Sequence, residues 1–289
     1  MNQPLNFEVN YKEHLYFALK AIVSIILYVL ILLGIASVFM SETIPRSSVY
    51  LILIYVALII ILLFFRFGVL VGYLKGNAVK VTAYQFPDIH EIVNKQSRAL
   101  GLSSVPDVYI LQYGGFLNAF ATRFLGTNYI VLFSEIVESA YDEDKKVLEF
   151  VIGHELGHIK RKHLVKRLLL FPSSLVPFLG FAYSRACEYT CDNIGYALCP
   201  EGVKSGLLLL ASGKGLFKKV DTLEYVKQIQ MERGFWNWFS EKVSSHPHTT
   251  KRLAKFRDIL TDKVKVGKVT ENSITEQPIT DDHSKYMPR

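Results

Sequence analysis

The dominant pattern along this chain is apolar and unbroken. No charged residue occurs between positions 21 and 40, and none between 49 and 65, where Arg66 ends the second run. A helix rises about 1.5 Å per residue, so twenty residues reach roughly 30 Å, the thickness of a bilayer's hydrocarbon core. Two transmembrane helices are expected, at about 21–40 and 49–66. The turn SETIPRSS joins them, with Pro45 as breaker. A secretory signal would have a shorter apolar run and a small-residue cleavage site.

The pattern changes at about residue 84. Residues 88–100 carry apolar side chains at helical spacing. Segments 105–113, 117–124 and 128–133 are short and rich in β-branched and aromatic residues, which predicts strands. The last two form a hairpin turning at Gly126. Helix resumes near Tyr141, where Asp142, Glu143 and Asp144 favour a helix N-terminus. Residues 168–182, LLLFPSSLVPFLGFA, are apolar but hold Pro172 and Pro177. They are too short and broken for a span, and three settings stay open: re-entrant, interfacial or core. Polar, aperiodic sequence from residue 261 predicts a flexible tail. The expected division is an anchor over 1–83, a folded domain over 84–260 and a tail over 261–289.

Charge refines this picture. The 289 residues carry a net charge of +7, and the isoelectric point is near 9.1. Such a balance suits nucleic acid or an anionic membrane surface, and the apolar runs decide for the membrane. No nucleic-acid partner is expected. Lys12 and Lys20 precede the first run, and Arg66, Lys75 and Lys80 follow the second. The connection has only Arg46. Positive charge favours the cytoplasmic side, so both termini and the domain should face the cytoplasm from the cell (inner or plasma) membrane. The basic run Lys160, Arg161, Lys162, Lys166 and Arg167 is either a lipid-facing surface or a solvated helix face. Three cysteines, at 187, 191 and 199, make no disulfide framework.

The chemistry lies in His154-Glu155-Leu156-Gly157-His158. On a helix, positions i and i+4 share a face, so both imidazoles can reach one Zn²⁺. Glu155, beside them, can accept a proton from the attacking water and pass it to the leaving amine. A catalytic zinc takes three protein ligands. Downstream, Glu188 and Asp192 are again i, i+4 on an otherwise small and apolar helical pattern. Glu188 is assigned as third ligand, and Asp192 as the acceptor that orients a zinc-bound imidazole. Cys187 and Cys191 fall on another face and are expected as small buried hydrophobes. His163 is expected at the surface, and His14, His90 and His283 have no ligand spacing.

Together with Asn118-Ala119-Phe120-Ala121 and His246-Pro247 followed by Arg252, these motifs resemble the HtpX-like integral-membrane zinc metallopeptidases, distant relatives of the CAAX prenyl proteases. The resemblance covers about 84–258 and, in layout, the N-terminal hairpin. It implies that Asn118 to Ala121 form an edge strand that pairs with substrate backbone. It implies that His246 approaches the zinc site, steadying the oxyanion or filling the open position, and that Arg252 braces the site through Asp192. Some relatives place two transmembrane helices between the second histidine and the glutamate. Here one broken apolar run fills that interval, which speaks against a four-helix layout; the prenyl proteases use a many-helix membrane chamber that these few spans cannot build, which disfavours a prenylated-peptide substrate.

The expected fold class is therefore mainly α with a small antiparallel β-sheet, an α+β zincin-like peptidase domain behind an N-terminal transmembrane hairpin. The expected activity is zinc-dependent endopeptidase, one Zn²⁺ per chain, acting on membrane or membrane-adjacent polypeptides. The alternative is a zinc-containing, chaperone-like protein that holds unfolded chains without cutting them.

Overall fold

Both apolar runs form helices longer than the runs themselves. In the computed structural model, which describes residues 5–41, 45–113 and 118–256, α1 spans Tyr11–Met40 and α2 spans Arg46–Asn77. Each is long and apolar enough to cross a membrane. The predicted tail from residue 261, His283 and positions 42–44 of the predicted turn lie outside the described residues. The chain divides into two compact units, Met1–Leu253 and Ala254–Arg289, and of the second only 254–256 are described.

α1 starts ten residues before the predicted span, where the Asn10 side chain caps it by accepting from the Lys12 N–H. α2 does not stop at Arg66. Leu70, Val71, Leu74 and Ala78 follow at 3.6-residue spacing and pack on the sheet against Tyr109, Leu111, Tyr129, Val131 and Phe133. The charge at Arg66 ends the membrane-compatible stretch, not the helix.

Strand β1 (Val79–Lys80) leads into α3 (Pro87–Ala99), then β2 (Asp107–Leu111), β3 (Ala119–Phe124) and β4 (Thr127–Phe133). The sheet order is β1-β2-β4-β3. β3 and β4 form the expected hairpin, with a two-residue turn in which Leu125 (φ 47°) and Gly126 (φ 86°) both lie in the left-handed region. The sheet is mixed, where an antiparallel one was expected, because β4 inserts between β2 and β3 and so runs parallel to β2. That central place explains the continuous apolar run Ile130-Val131-Leu132, buried on both faces. β3 is left at an edge.

Helices α4 (Ser134–Asp142) and α5 (Lys145–Lys160) follow; Asp144 caps α5 by accepting from the Lys146 N–H. Next come α6 (His163–Leu169), a 3-10 turn over Phe171–Leu175, α7 (Leu179–Leu198) and α8 (Gly202–Ser212). α9 (Thr222–Met231), α10 (Phe235–Lys242) and α11 (Thr249–Ala254) close the described chain. α5 crosses α7 at Gly157. A Cβ there would sit 3.2 Å from Cys191 Sγ and 3.3 Å from its Cα, so only glycine allows this approach without displacement.

Candidate metal centre

The crossing of α5 and α7 brings the motif residues together. Glu188 of α7 lies under both imidazoles of α5: its Oε2 is 3.4 Å from His154 Nε2 and its Oε1 is 3.5 Å from His158 Nε2. His246, in the loop before α11, brings Nε2 to 3.6 Å from Glu188 Oε1. All three histidines and Glu155 line a cleft of about 820 Å³. Asn118 to Ala121 line its wall: Asn118 precedes the edge strand β3, which holds the other three, and its carbonyl accepts from the Phe133 N–H at 3.0 Å.

Each imidazole is fixed from behind. His154 Nδ1 is 3.0 Å from Asp192 Oδ1. Arg252 donates to both oxygens of that carboxylate, at 2.8 and 2.6 Å. Burial pushes Asp192 up, but the Arg252 guanidinium outweighs it and holds the carboxyl down to about 2. Burial likewise opposes charge on His154, yet Asp192 and Glu188 raise it to about 10. A proton and a dication are alternatives at that ring, so metal binding displaces the proton.

His158 has its own support. Its Nδ1 is 3.0 Å from Nδ1 of His163, whose Nε2 lies 3.3 Å from Glu13 Oε1 in α1. For His158 to keep a lone pair at Nε2, its proton must sit on Nδ1 and be donated to His163. His163, expected at the surface, is buried. α5 ends at Lys160, and Lys162 adopts a left-handed conformation (φ 55°) that turns the chain back, so α6 opens with His163 facing His158. Burial pushes His163 down to about 4, and the Glu13 carboxylate offsets only part of that.

Neither open reading of the basic run covers it whole. Arg161 donates to Glu13 Oε1 from Nε and Nη2 at 3.0 and 2.8 Å, and Arg167 donates to Ser184 Oγ. Glu13 was invisible to sequence reasoning: a single acid in a polar lead-in carries no spacing signal.

The donor set can be tested against zinc. Four ligands arranged tetrahedrally at about 2.0–2.1 Å stand roughly 3.3–3.4 Å apart. Glu188 Oε2 stands 3.4 Å from His154 Nε2 and its Oε1 3.5 Å from His158 Nε2, each close to that spacing, and two imidazoles with a carboxylate are donors that zinc accepts. Cys191 Sγ also lies within ligating reach of His154 and His158. It sits 3.7 Å from His163 Nδ1, on the Nδ1 side of His158, and burial pushes its thiol well above the usual range. A second cluster, Glu13, His163 and Cys187, is a poor metal site. Arg161 already holds one oxygen of the carboxylate, Oε1, and burial pushes the Cys187 thiol up to about 12.

An HExxH helix, a glutamate from a crossing helix, an edge strand along the cleft and two long apolar helices define the class, that of membrane metallopeptidases. The chain belongs to peptidase family M48, whose model matches residues 83–177 and 168–260, together more than half of it. It is 28% identical over 156 residues to the plastoglobule-localized metallopeptidase 48, chloroplastic, of Arabidopsis thaliana, covering 48% of this chain and 44% of that one. To the CAAX prenyl protease 1 homolog of Dictyostelium discoideum it is 34% identical over 97 residues, 33% and 22% of the two chains. To the protease HtpX homolog of Gemmatimonas aurantiaca it is 25% identical over 224 residues, 62% and 77%. The chain thus spans less than half the length of the first two. The crystal structure of S. mikatae Ste24p aligns with a TM-score of 0.46 at 16% identity, over 86% of this chain and 67% of that one.

Proposed function

We propose that this protein is a zinc-dependent endopeptidase held in the membrane by α1 and α2, with residues 84–260 as its catalytic region and 261–289 as a tail. The observation that carries the reading is the Glu188 carboxylate standing 3.4 Å from His154 Nε2 and 3.5 Å from His158 Nε2, beside Glu155 in the same cleft. Two imidazoles and one carboxylate are a donor set of catalytic zinc. When bound, the zinc supplies a Lewis acid that polarises the scissile carbonyl and lowers the pKa of water.

The chain's own groups do the rest. Glu155 accepts the proton of the attacking water and delivers it to the leaving amine. Asp192 holds His154 in the tautomer that presents Nε2, and Arg252 holds Asp192. His246, exposed at the rim, donates to the oxygen on which charge develops. An extended substrate adds to the open edge of β3, so backbone pairing aligns it and side chains tune preference. At the other end of that strand, Phe124 packs on Phe64 of α2, with ring centroids 5.6 Å apart. A polypeptide paired along β3 therefore runs beside the membrane-embedded helix. This supports membrane or membrane-adjacent substrates and disfavours a freely soluble one. The flanking charges favour a site on the cytoplasmic face of the cell membrane.

The test is Glu155→Gln in the full chain. Metal content should stay unchanged while cleavage of an unfolded membrane polypeptide falls about 10²–10⁴-fold. Unchanged cleavage would remove Glu155 as the base; no cleavage by the unmodified, zinc-loaded protein would leave a protein that only holds chains.

A further inference from the structure

Residues 168–184 contain no charge, and the elbow they form, from the end of α6 to the start of α7, is exposed over much of its length. Phe171 is 69% exposed and Leu175 77%, with Leu168, Leu169, Phe178 and Phe181 also open. Isolated exposed apolar residues need no explanation, but a contiguous surface of this kind does.

Its position says what covers it. The elbow lies against α1 well within the apolar stretch. Tyr28 donates from its hydroxyl to the Leu169 carbonyl at 3.0 Å, and the Ser173 N–H donates to Ser24 Oγ at 3.3 Å. Tyr28 is eight residues past Lys20, the last charge in α1, or about 12 Å of helix rise. Residues bonded at that height share the depth of the span. The backbone of the elbow is also prepared for lipid, where a polar group without a partner is costly. Pro172 and Pro177 have no N–H to satisfy. The N–H groups of Leu170, Val176 and Leu179 bond to Lys166, Ser173 and Pro177 carbonyls, and Ser173 Oγ donates to the Leu170 carbonyl at 2.5 Å.

A second element continues the surface. α10 reads Phe-Trp-Asn-Trp-Phe, and Phe239 meets Phe178 of the elbow edge-to-face at 6.3 Å. Trp236 is 76% exposed. Arg185 donates from Nη1 to the Glu241, Lys242 and Ser244 carbonyls, tying this helix to α7. Tryptophan beside an apolar surface, with Arg233 and Lys242 near by, is the chemistry of the headgroup level.

We propose that residues 168–181 form a re-entrant elbow immersed in the acyl chains of one leaflet, with the α10 aromatics at its headgroup boundary, so the domain has a third membrane contact beside α1 and α2. The inference rests on reading those helices as spans. It is tested on the full chain in phosphatidylcholine–phosphatidylglycerol vesicles, with a fluorophore at Leu175→Cys, Ile59→Cys or Tyr84→Cys; the three native thiols are buried and do not compete. The Leu175 label should lose most of its emission to acyl-brominated lipid, as the Ile59 label does, and resist aqueous iodide. The Tyr84 label, at a site 99% exposed, should do the reverse. The chain has two tryptophans, both in α10, so emission of the unmodified protein should shift to the blue on reconstitution and be quenched by shallow brominated lipid. Iodide quenching at Leu175 with lipid quenching at Ile59 overturns the elbow and spares the spans. Shielding of Leu175 from both quenchers means a second copy covers it, and also overturns it. Absence of lipid quenching at Ile59 removes spans and elbow together.

Discussion

Asp192 is fully buried, and its charge is tolerated only because Arg252 grips both oxygens. Removing one partner of a buried pair strands the other, at about 3–5 kcal/mol. Arg252→Ala should lower unfolding stability by about that much, read from denaturant melts of the metal-free protein. Glu188→Ala should cut zinc content by elemental analysis, while Cys191→Ser should leave it intact; the reverse would move the third ligand to sulfur. The spacing of His154 with His158 and of Glu188 with Asp192 was legible because a helix converts four residues into one face. His163 was not. The turn that buries it rests on a lysine with positive φ, and nothing in a lysine codes announces that conformation.

At the scale of elements, α1 is half anchor and half domain. Its first turn and the residues leading into it lie against α5–α7: Glu13 takes Arg161, the Asn10 N–H donates to Thr190 Oγ1, and Asn193 donates to the Glu8 carbonyl. Glu13→Ala should destabilise the protein by roughly 2–3 kcal/mol, below the figure for a fully buried pair because Arg161 keeps some contact with water. Thermal melts in detergent check this, and an unchanged melt would mean the ion pair is incidental. The extent of α2 was hidden by Arg66, although the stripe Leu70, Val71, Leu74 and Ala78 was readable at helical spacing. The hairpin was legible from Gly126, whereas the parallel pairing of β2 with β4 was not, since strand order depends on long-range insertion that periodicity does not encode.

For the whole molecule, the consequence is that the membrane segment and the peptidase region are not separable pieces. Deleting residues 1–20 should abolish the cooperative melt of the remaining chain, because Arg161 and His163 lose Glu13 and α7 loses its cover. A sharp transition in that shortened protein, followed by circular dichroism, would show that the domain stands alone. Composition alone read the first eighty residues as an anchor; that they also complete the core is a tertiary fact.

Phe124 resting on Phe64 sets a dimension as well as a contact. A domain swinging on a loose leash would sweep its cleft through many heights. One footed on its own helix keeps the cleft at a single altitude, and under the proposed activity peptide bonds would be sorted by distance from the bilayer before any side chain is read.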